Sequence, residues 1–455
     1  MSLKAAFMVP HPPMIVKEIG KGSEQQVIKT IEAYCEIAKE IEKLQPETII
    51  ISSPHAPLYS NGFYLSTNPV EKSSFKKFGV ENIFFKEEID EELVDEIEKL
   101  ANKECLLTKK VSNNELDHGT MVPLYFIRQK FEKSKIIVIG LAGLSLIEHY
   151  KMGMVIKKAI DNLNRDVVYV ASGDLSHKLQ EYGPYGFIEE GPVYDKKIMD
   201  VCRNARFNEL LEFSNSFLDK AAECGHRSFT IMAGTMDKLN VEAKEYSHED
   251  ITGVGYGICS FYPKEKNEDR CFYPKYLKEE EKRVISEDEL VNLAKETIRS
   301  YIINNKIIDI PENISKEYLE NKAGVFVSIH KFDRLRGCIG TFLPTTNSIA
   351  EEVIRNAIEA ATNDPRFEKI TSKELNYLEV KVDILKTPEI ITSEEMLNVK
   401  KYGIIVTSGY KRGLLLPDLE GVDTVDKQIE IAMRKGNITK DEDIILERFE
   451  VIRHK

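Results

Sequence analysis

Thr48-Ile49-Ile50-Ile51-Ser52-Ser53-Pro54-His55 is a short apolar run that ends in a stiffened polar loop. Its first half is rich in β-branched residues and shows no polar alternation. That is the pattern of a strand buried on both faces of a parallel sheet. The same reading repeats on either side. Ala5-Ala6-Phe7-Met8-Val9 runs into Pro10-His11-Pro12-Pro13, and Val167-Val168-Tyr169-Val170-Ala171 runs into Ser172-Gly173-Asp174-Leu175-Ser176-His177. In an open α/β sheet the ligand crevice lies beyond the carboxyl ends of the strands. Histidines placed just after three such strands are therefore expected to converge in space. A fourth, His118, sits in Glu115-Leu116-Asp117-His118-Gly119-Thr120. One histidine after a strand is commonly structural; four in one domain point to a shared site.

The length of 455 residues exceeds what a single hydrophobic core organises, so two domains are expected. A net charge of −12 argues against general nucleic-acid binding, which needs a basic footprint. No apolar stretch approaches the roughly 20 residues that span a bilayer, so no membrane partner is expected. The first residues lead straight into a strand and lack a signal-peptide layout. Seven scattered cysteines without a C-x-x-C pair speak against a disulfide framework or zinc knuckle and for a reducing cytoplasm.

From residue 1 to 262, strand-like runs alternate with helical periodicity, which implies a mainly parallel or mixed sheet with helices on both faces. Ser23–Leu44 is expected to be one long helix capped by Ser23, with Val27, Ile31, Tyr34, Ile37, Ala38 and Ile41 on its buried side. Further helices are expected over Asp90–Leu100, Ile147–Leu163, Val193–Phe213 and Arg227–Leu239. Lys135–Leu141 and Val254–Phe261 read as strands. Residues 263–283, dense in Lys, Glu, Asp and Tyr without a sustained period, read as a linker. Residues 284–455 mix helices (Glu287–Asn304 with Ser286 as cap, Ser348–Ala361, Asp426–Arg434) with strands (Gly324–His330, Val380–Leu385, Gly403–Thr407, Gly413–Leu416). No βαβ rhythm is visible there, so an α+β domain is expected.

Two histidines and one carboxylate with open positions form the facial set that binds Fe(II) in non-haem oxygenases. His11 and His55 are the leading ligand candidates, because prolines stiffen the loops that carry them. In Ala221-Ala222-Glu223-Cys224-Gly225-His226-Arg227, Glu223 is the candidate third ligand and Cys224 the soft alternative, which would tilt the site toward zinc or copper. His177 is the candidate acid/base, since an imidazole titrates near neutrality, with Asp174 to orient it. His118 is placed to bind or protonate an oxyanion. His149, His226 and His248 carry no such signal and read as surface residues.

Pro10-His11-Pro12-Pro13, Ser53-Pro54-His55, Asp117-His118-Gly119 with Val122-Pro123-Leu124, and Gly173–His177 together resemble the class III extradiol ring-cleavage dioxygenases and the related Memo-like proteins. The resemblance implies His11, His55 and Glu223 as metal ligands, His177 as acid/base, His118 lining the substrate site, and a catecholic substrate with O2. Memo-like relatives use a cysteine in the region of Glu223-Cys224, so the resemblance leaves Cys224 as the alternative third ligand.

In the second domain Arg334-Leu335-Arg336-Gly337-Cys338-Ile339-Gly340-Thr341-Phe342 is the densest signal. Arg334 and Arg336 suit a carboxylate or phosphate, Gly337 and Gly340 a tight turn or close approach, and Cys338 a thiol activated by those cations. A glycine-bearing strand turn with solvated arginines is the structural alternative. With Asn363–Phe367 and Arg412–Pro417, this segment resembles the AMME-syndrome candidate-gene family. The fusion resembles the AmmeMemoRadiSam system protein A type, which implies a radical-SAM protein partner. The chain itself lacks the clustered cysteines of a radical-SAM site.

Overall fold

The computed structural model describes residues 3–112, 115–419 and 421–455. They form two compact units, dividing between Tyr276 and Leu277.

The first unit is an α/β layer built on one eight-stranded mixed sheet. Its strands are β1 (Leu3–Val9), β2 (Thr48–Ser53), β3 (Phe63–Thr67), β6 (Thr108–Ser112), β7 (Lys135–Gly140), β8 (Val167–Ser172), β9 (Leu239–Glu249) and β10 (Tyr256–Lys266), and a separate hairpin pairs β4 (Val70–Ser74) with β5 (Phe84–Glu87). The order across the sheet is β6-β3-β7-β2-β8-β1-β10-β9. At its centre β7, β2, β8 and β1 run parallel, while β10 runs antiparallel to β1 and β3 antiparallel to β7. β2 and β8 are buried along their whole length, and β1 nearly so, which is why their sequences carry no alternation. Because β8 lies between β2 and β1 and all three point the same way, the loops holding His55, Asp174 and His11 leave one edge side by side.

The helices of this unit are α1 (Lys17–Gly20), α2 (Ile28–Leu44), α3 (Glu91–Lys103), α4 (His118–Arg128), α5 (Leu146–Leu163), α6 (Glu190–Arg203), α7 (Asn215–Ala221) and α8 (His226–Gly234). Several starts follow their capping chemistry. The side chain of Asp90 accepts from Leu93 N at α3, and Ser145 with Glu148 forms a capping box at α5. The long helix expected from Ser23 begins at Ile28 instead. A 3-10 turn covers Ser23–Val27, and the Ser23 hydroxyl donates to Gly20 O rather than capping α2. The helix expected over Arg227–Leu239 stops at Gly234, and Leu239 opens β9, a strand the sequence reading did not separate.

The stretch read as a linker is regular. β10 runs to Lys266, and α9 (Phe272–Arg283) crosses the division between the units. Its charged face gives no apolar stripe strong enough to read as a helix.

The second unit is α+β. Helix α10 (Glu289–Asn304) is capped by Asp288, not Ser286, and α11 (Lys316–Glu320) follows. One antiparallel sheet has the order β12 (Arg334–Thr341), β11 (Val325–Lys331), β13 (Leu378–Leu385), β18 (Val451–His454), with α12 (Ile349–Thr362) against it. A second has the order β14 (Glu389–Ile390), β17 (Ile445–Phe449), β15 (Gly403–Ser408), β16 (Lys411–Leu415), with α13 (Val425–Lys435) packed on it. No helix among the described residues is long and apolar enough to cross a membrane.

Candidate metal centre

Three of the four loop histidines meet at the edge formed by β1, β2 and α4. His11 Nε2 and His55 Nε2 stand 3.0 Å apart. The His118 ring lies 4.0 Å from that of His55 and 5.3 Å from that of His11, centroid to centroid. Cys224 Sγ reaches within 3.6 Å of His11 Nε2. His11, His55 and His118 form one group able to hold a cation, and His11, Asp174 and Cys224 form another.

Local chemistry brings these side chains together. Asp117 caps α4 by accepting from Thr120 N at 3.1 Å, and it also accepts from the Ser53 hydroxyl at 2.5 Å. One carboxylate thus ties the start of α4, and His118 with it, to the end of β2. Gly119 lies so close that a Cβ there would overlap Ser53 Oγ and sit 3.4 Å from His11 Nδ1. Gly173 and Gly225 abut backbone to backbone, so no side chain fits between the loop after β8 and the start of α8. That contact presents Cys224 to Asp174, whose N–H donates to Cys224 Sγ at 3.2 Å. His11 is held by its own N–H on Asp174 Oδ1 at 2.7 Å and by the Tyr34 hydroxyl donating to Pro10 O.

Burial dominates the electrostatics. His11 is pushed well below the usual imidazole range by desolvation and then by the neighbouring His55 and His118; His118 is lowered to about 4 by desolvation and then by His55. These imidazoles are neutral at pH 7, the state in which they ligate metals. Burial raises the Cys224 thiol well above its ordinary value and Asp174 to about 6.

Glu223 is not brought to the cluster. Its Oε2 accepts from His226 N at 2.5 Å at the start of α8, and burial raises its carboxyl to about 7. Adjacent side chains at a helix start diverge, so Cys224 faces His11 while Glu223 turns to the backbone of His226. His177 stands on the same loop as Asp174, its ring stacked on Tyr185 at 5.1 Å. Its Nε2 is buried without a hydrogen-bond partner, and burial lowers its pKa. The carboxylate of Asp174 raises that pKa through space, while its Oδ1 takes the backbone N–H of His11.

Three histidines read as surface residues are not on the surface. His149 and His226 are fully buried, bonded to Ser145 O and Leu210 O. His248 is half-buried with Nε2 3.0 Å from Asp195 Oδ2.

The donor set fits a metal. Two nitrogens on one cation at about 2.1 Å stand roughly 3.0–3.4 Å apart, and a nitrogen with a sulfur at about 2.3 Å roughly 3.1–3.6 Å. The observed 3.0 Å from His11 to His55 and 3.6 Å from His11 to Cys224 match these spans pair by pair, with His55 and Cys224 in separate groups that share His11. Ser172, Gly119 and Pro123 stand in the motifs read from sequence, which gave none of them a role of its own. A proline inside a helical run was the available signal for the last.

In the second unit Arg336 is engaged internally. It pairs with Glu374 at 2.9 Å and donates to Glu368 O and Lys369 O, so the expected free anion fork is spent on structure. Arg334 and Cys338 lie on β12. Cys338 N donates to Asp364 Oδ2 at 2.8 Å, and its Sγ lies 3.2 Å from Ser328 Oγ. A Cβ on Gly337 would overlap Ala360 O, and one on Gly340 would overlap Phe326.

Residues 5–259, more than half the chain, match the family described as the catalytic LigB subunit of aromatic ring-opening dioxygenase. The chain belongs to that family. Residues 291–454 match AMMECR1, so a LigB domain is fused to an AMMECR1 domain. A Clostridium acetobutylicum protein is 40% identical over the full length of both chains. A Thermotoga maritima protein is 47% identical over 174 residues, 38% of this chain and all of that one. The crystal structure of an uncharacterized Pyrococcus horikoshii protein is similar over 36% of this chain and 88% of that one, at 31% identity and a TM-score of 0.34. LigB family members commonly hold a metal, and the His/Asp/Cys groups above are candidates for one.

Proposed function

We propose that the LigB domain is a metal-dependent oxidoreductase acting on a catechol or another substrate with two neighbouring oxygens. Fe(II) would be held by His11, His55 and Cys224, with His118 alongside. The observation that carries this reading is the meeting of three imidazoles at the carboxyl edge of the sheet as one group able to hold a cation, with His11 shared by a second group that brings in Asp174 and the Cys224 thiol. Fe(II) in such a site supplies the redox chemistry by which dioxygen combines with a diphenol. The chain supplies the rest. His177, neutral through burial, offers Nε2 to take the proton of a substrate hydroxyl, and Tyr185 keeps the ring in place by stacking. His118, also neutral, can donate to a substrate oxygen from its own edge of the site.

The test is reconstitution with Fe(II) under anaerobic conditions, then addition of air and catechol. Formation of a yellow ring-opened product, lost in His177→Ala with the metal still bound, is the expected result. No turnover of any diphenol removes ring opening and leaves the metal centre standing.

A second reading is favoured by one observation: a thiol stands beside His11, and soft donors select zinc. The chain would then be a zinc-bearing accessory protein to a radical-SAM partner, in keeping with the fused arrangement. Elemental analysis of untagged protein separates the two, since one zinc per chain and no iron supports the accessory role.

A further inference from the structure

The start of α4 contains a carbonyl that lacks its usual i+4 donor. In an α-helix the N–H of residue 123 would donate to Gly119 O, but residue 123 is proline and has none, and its ring pushes that carbonyl aside. Gly119 O is instead met by the Ser172 hydroxyl at the end of β8, at 2.6 Å. Ser172 is fully buried, so no other donor reaches it from solvent. A hydroxyl carries a single proton. With that proton on Gly119 O, Ser172 Oγ has only lone pairs left for His11 Nδ1, 2.9 Å away. His11 must bring the proton to this contact. Its neutral ring then carries hydrogen on Nδ1 and a lone pair on Nε2, the atom 3.0 Å from His55 Nε2 and 3.6 Å from Cys224 Sγ.

We propose that Ser172 is a positioning residue that fixes His11 in the Nδ1–H tautomer and aims its Nε2 lone pair into the metal centre. Pro123 enables this by freeing the Gly119 carbonyl. The relay Pro123–Gly119–Ser172–His11 links three elements, α4, β8 and the loop after β1. Partners that donate to or accept from the far nitrogen of a ligating histidine set its tautomer and basicity, and their loss typically costs 10–100-fold in metal affinity. The purpose of the relay rests on the metal-centre reading; the proton position does not.

The experiment uses the full metal-free chain labelled with 15N-histidine and two variants, Ser172→Ala and Pro123→Ala. Long-range 1H–15N correlation spectra report which ring nitrogen carries hydrogen, and Zn2+ affinity is read by competition with a chromophoric chelator. Wild-type His11 is expected to show protonated Nδ1 and bare Nε2. Ser172→Ala is expected to populate the Nε2–H form and to bind Zn2+ about 10–100-fold more weakly. Pro123→Ala supplies a new N–H that competes for Gly119 O. It is expected to weaken Zn2+ binding several-fold while leaving the thermal midpoint as high as wild type or higher, an outcome a purely structural role for Pro123 would not give. A proton on Nε2 in the wild type, or Zn2+ affinity within twofold of wild type in both variants, overturns the proposal. If the wild type binds no metal, the metal-centre reading fails, and the tautomer spectrum alone still decides the relay.

Discussion

Glu223 and Cys224 are neighbours in sequence that take opposite directions in space. Sequence could name both as ligand candidates but could not choose, because the choice depends on where α8 starts and which way each side chain leaves it. The structure gives Glu223 to the backbone of His226 and Cys224 to the imidazoles. Glu223→Gln keeps an oxygen for that backbone donor, so metal affinity should stay within about threefold of wild type. Cys224→Ser should lose tenfold or more, and isothermal titration checks both. Because burial raises the Cys224 thiol well above its ordinary value, metal binding to the wild type should also expel a proton. The heat of binding should then depend on the buffer's ionisation enthalpy, and much less so in Cys224→Ser. The Glu223 carboxyl is raised to about 7, against about 4.3 in an unfolded chain. A raised pKa contributes stability that is present below the unfolded value and lost as pH rises through the folded one. The thermal midpoint of Glu223→Gln relative to wild type should therefore climb between pH 5 and pH 8. A flat difference across that range would contradict the buried, protonated carboxyl.

At the scale of elements, the strands that carry the site were the most legible. β1, β2 and β8 are covered on both faces, so burial writes an unbroken apolar run into each. β9 escaped because it lies at the sheet edge, half-exposed, with Asn240, Glu242 and Lys244 interrupting any apolar pattern. The 3-10 turn before α2 escaped for a different reason: its residues continue the apolar spacing of the helix, and only the backbone differs. Glycines of the site loops prove to be points of contact between elements. Gly173 against Gly225 lets the loop after β8 touch the start of α8. A methyl group there has only backbone to meet, so Gly173→Ala should destabilise the first unit by about 1–3 kcal/mol, the usual cost of overpacking. It should also lower metal affinity by moving Cys224 from His11. Urea unfolding and the same titration measure the two effects, and an alanine variant with wild-type stability would remove Gly173 from the account. Gly337, with Ala360 O in the way, holds the corresponding place in the second unit.

At the scale of the molecule, length predicted two domains, and the described residues form two compact units, each with its own buried apolar residues. The division falls within residues 263–283, the segment expected to separate the domains, but the regular structure of that segment was not legible, because the charged surface of α9 resembles a linker in composition. What the second unit does was not legible either. Its most suggestive arginine, Arg336, turns out to neutralise the half-buried Glu374 and to bond two carbonyls, a role that sequence cannot distinguish from ligand binding. Among the described residues the candidate metal donors lie in the first unit: His11, His55, His118, Asp174 and Cys224. An ion that binds the folded form alone stabilises that form by RT ln(1 + [L]/Kd), about 2.7 kcal/mol at a hundredfold excess over Kd. Scanning calorimetry of the whole chain should accordingly resolve two transitions. Zn2+ or Fe(II) should raise one and leave the other where it was. His11→Ala should abolish the shift without altering the second transition. Equal movement of both transitions would mean that the ion is held by groups outside the imidazole and thiol cluster, and the metal centre would have to be sought elsewhere in the chain.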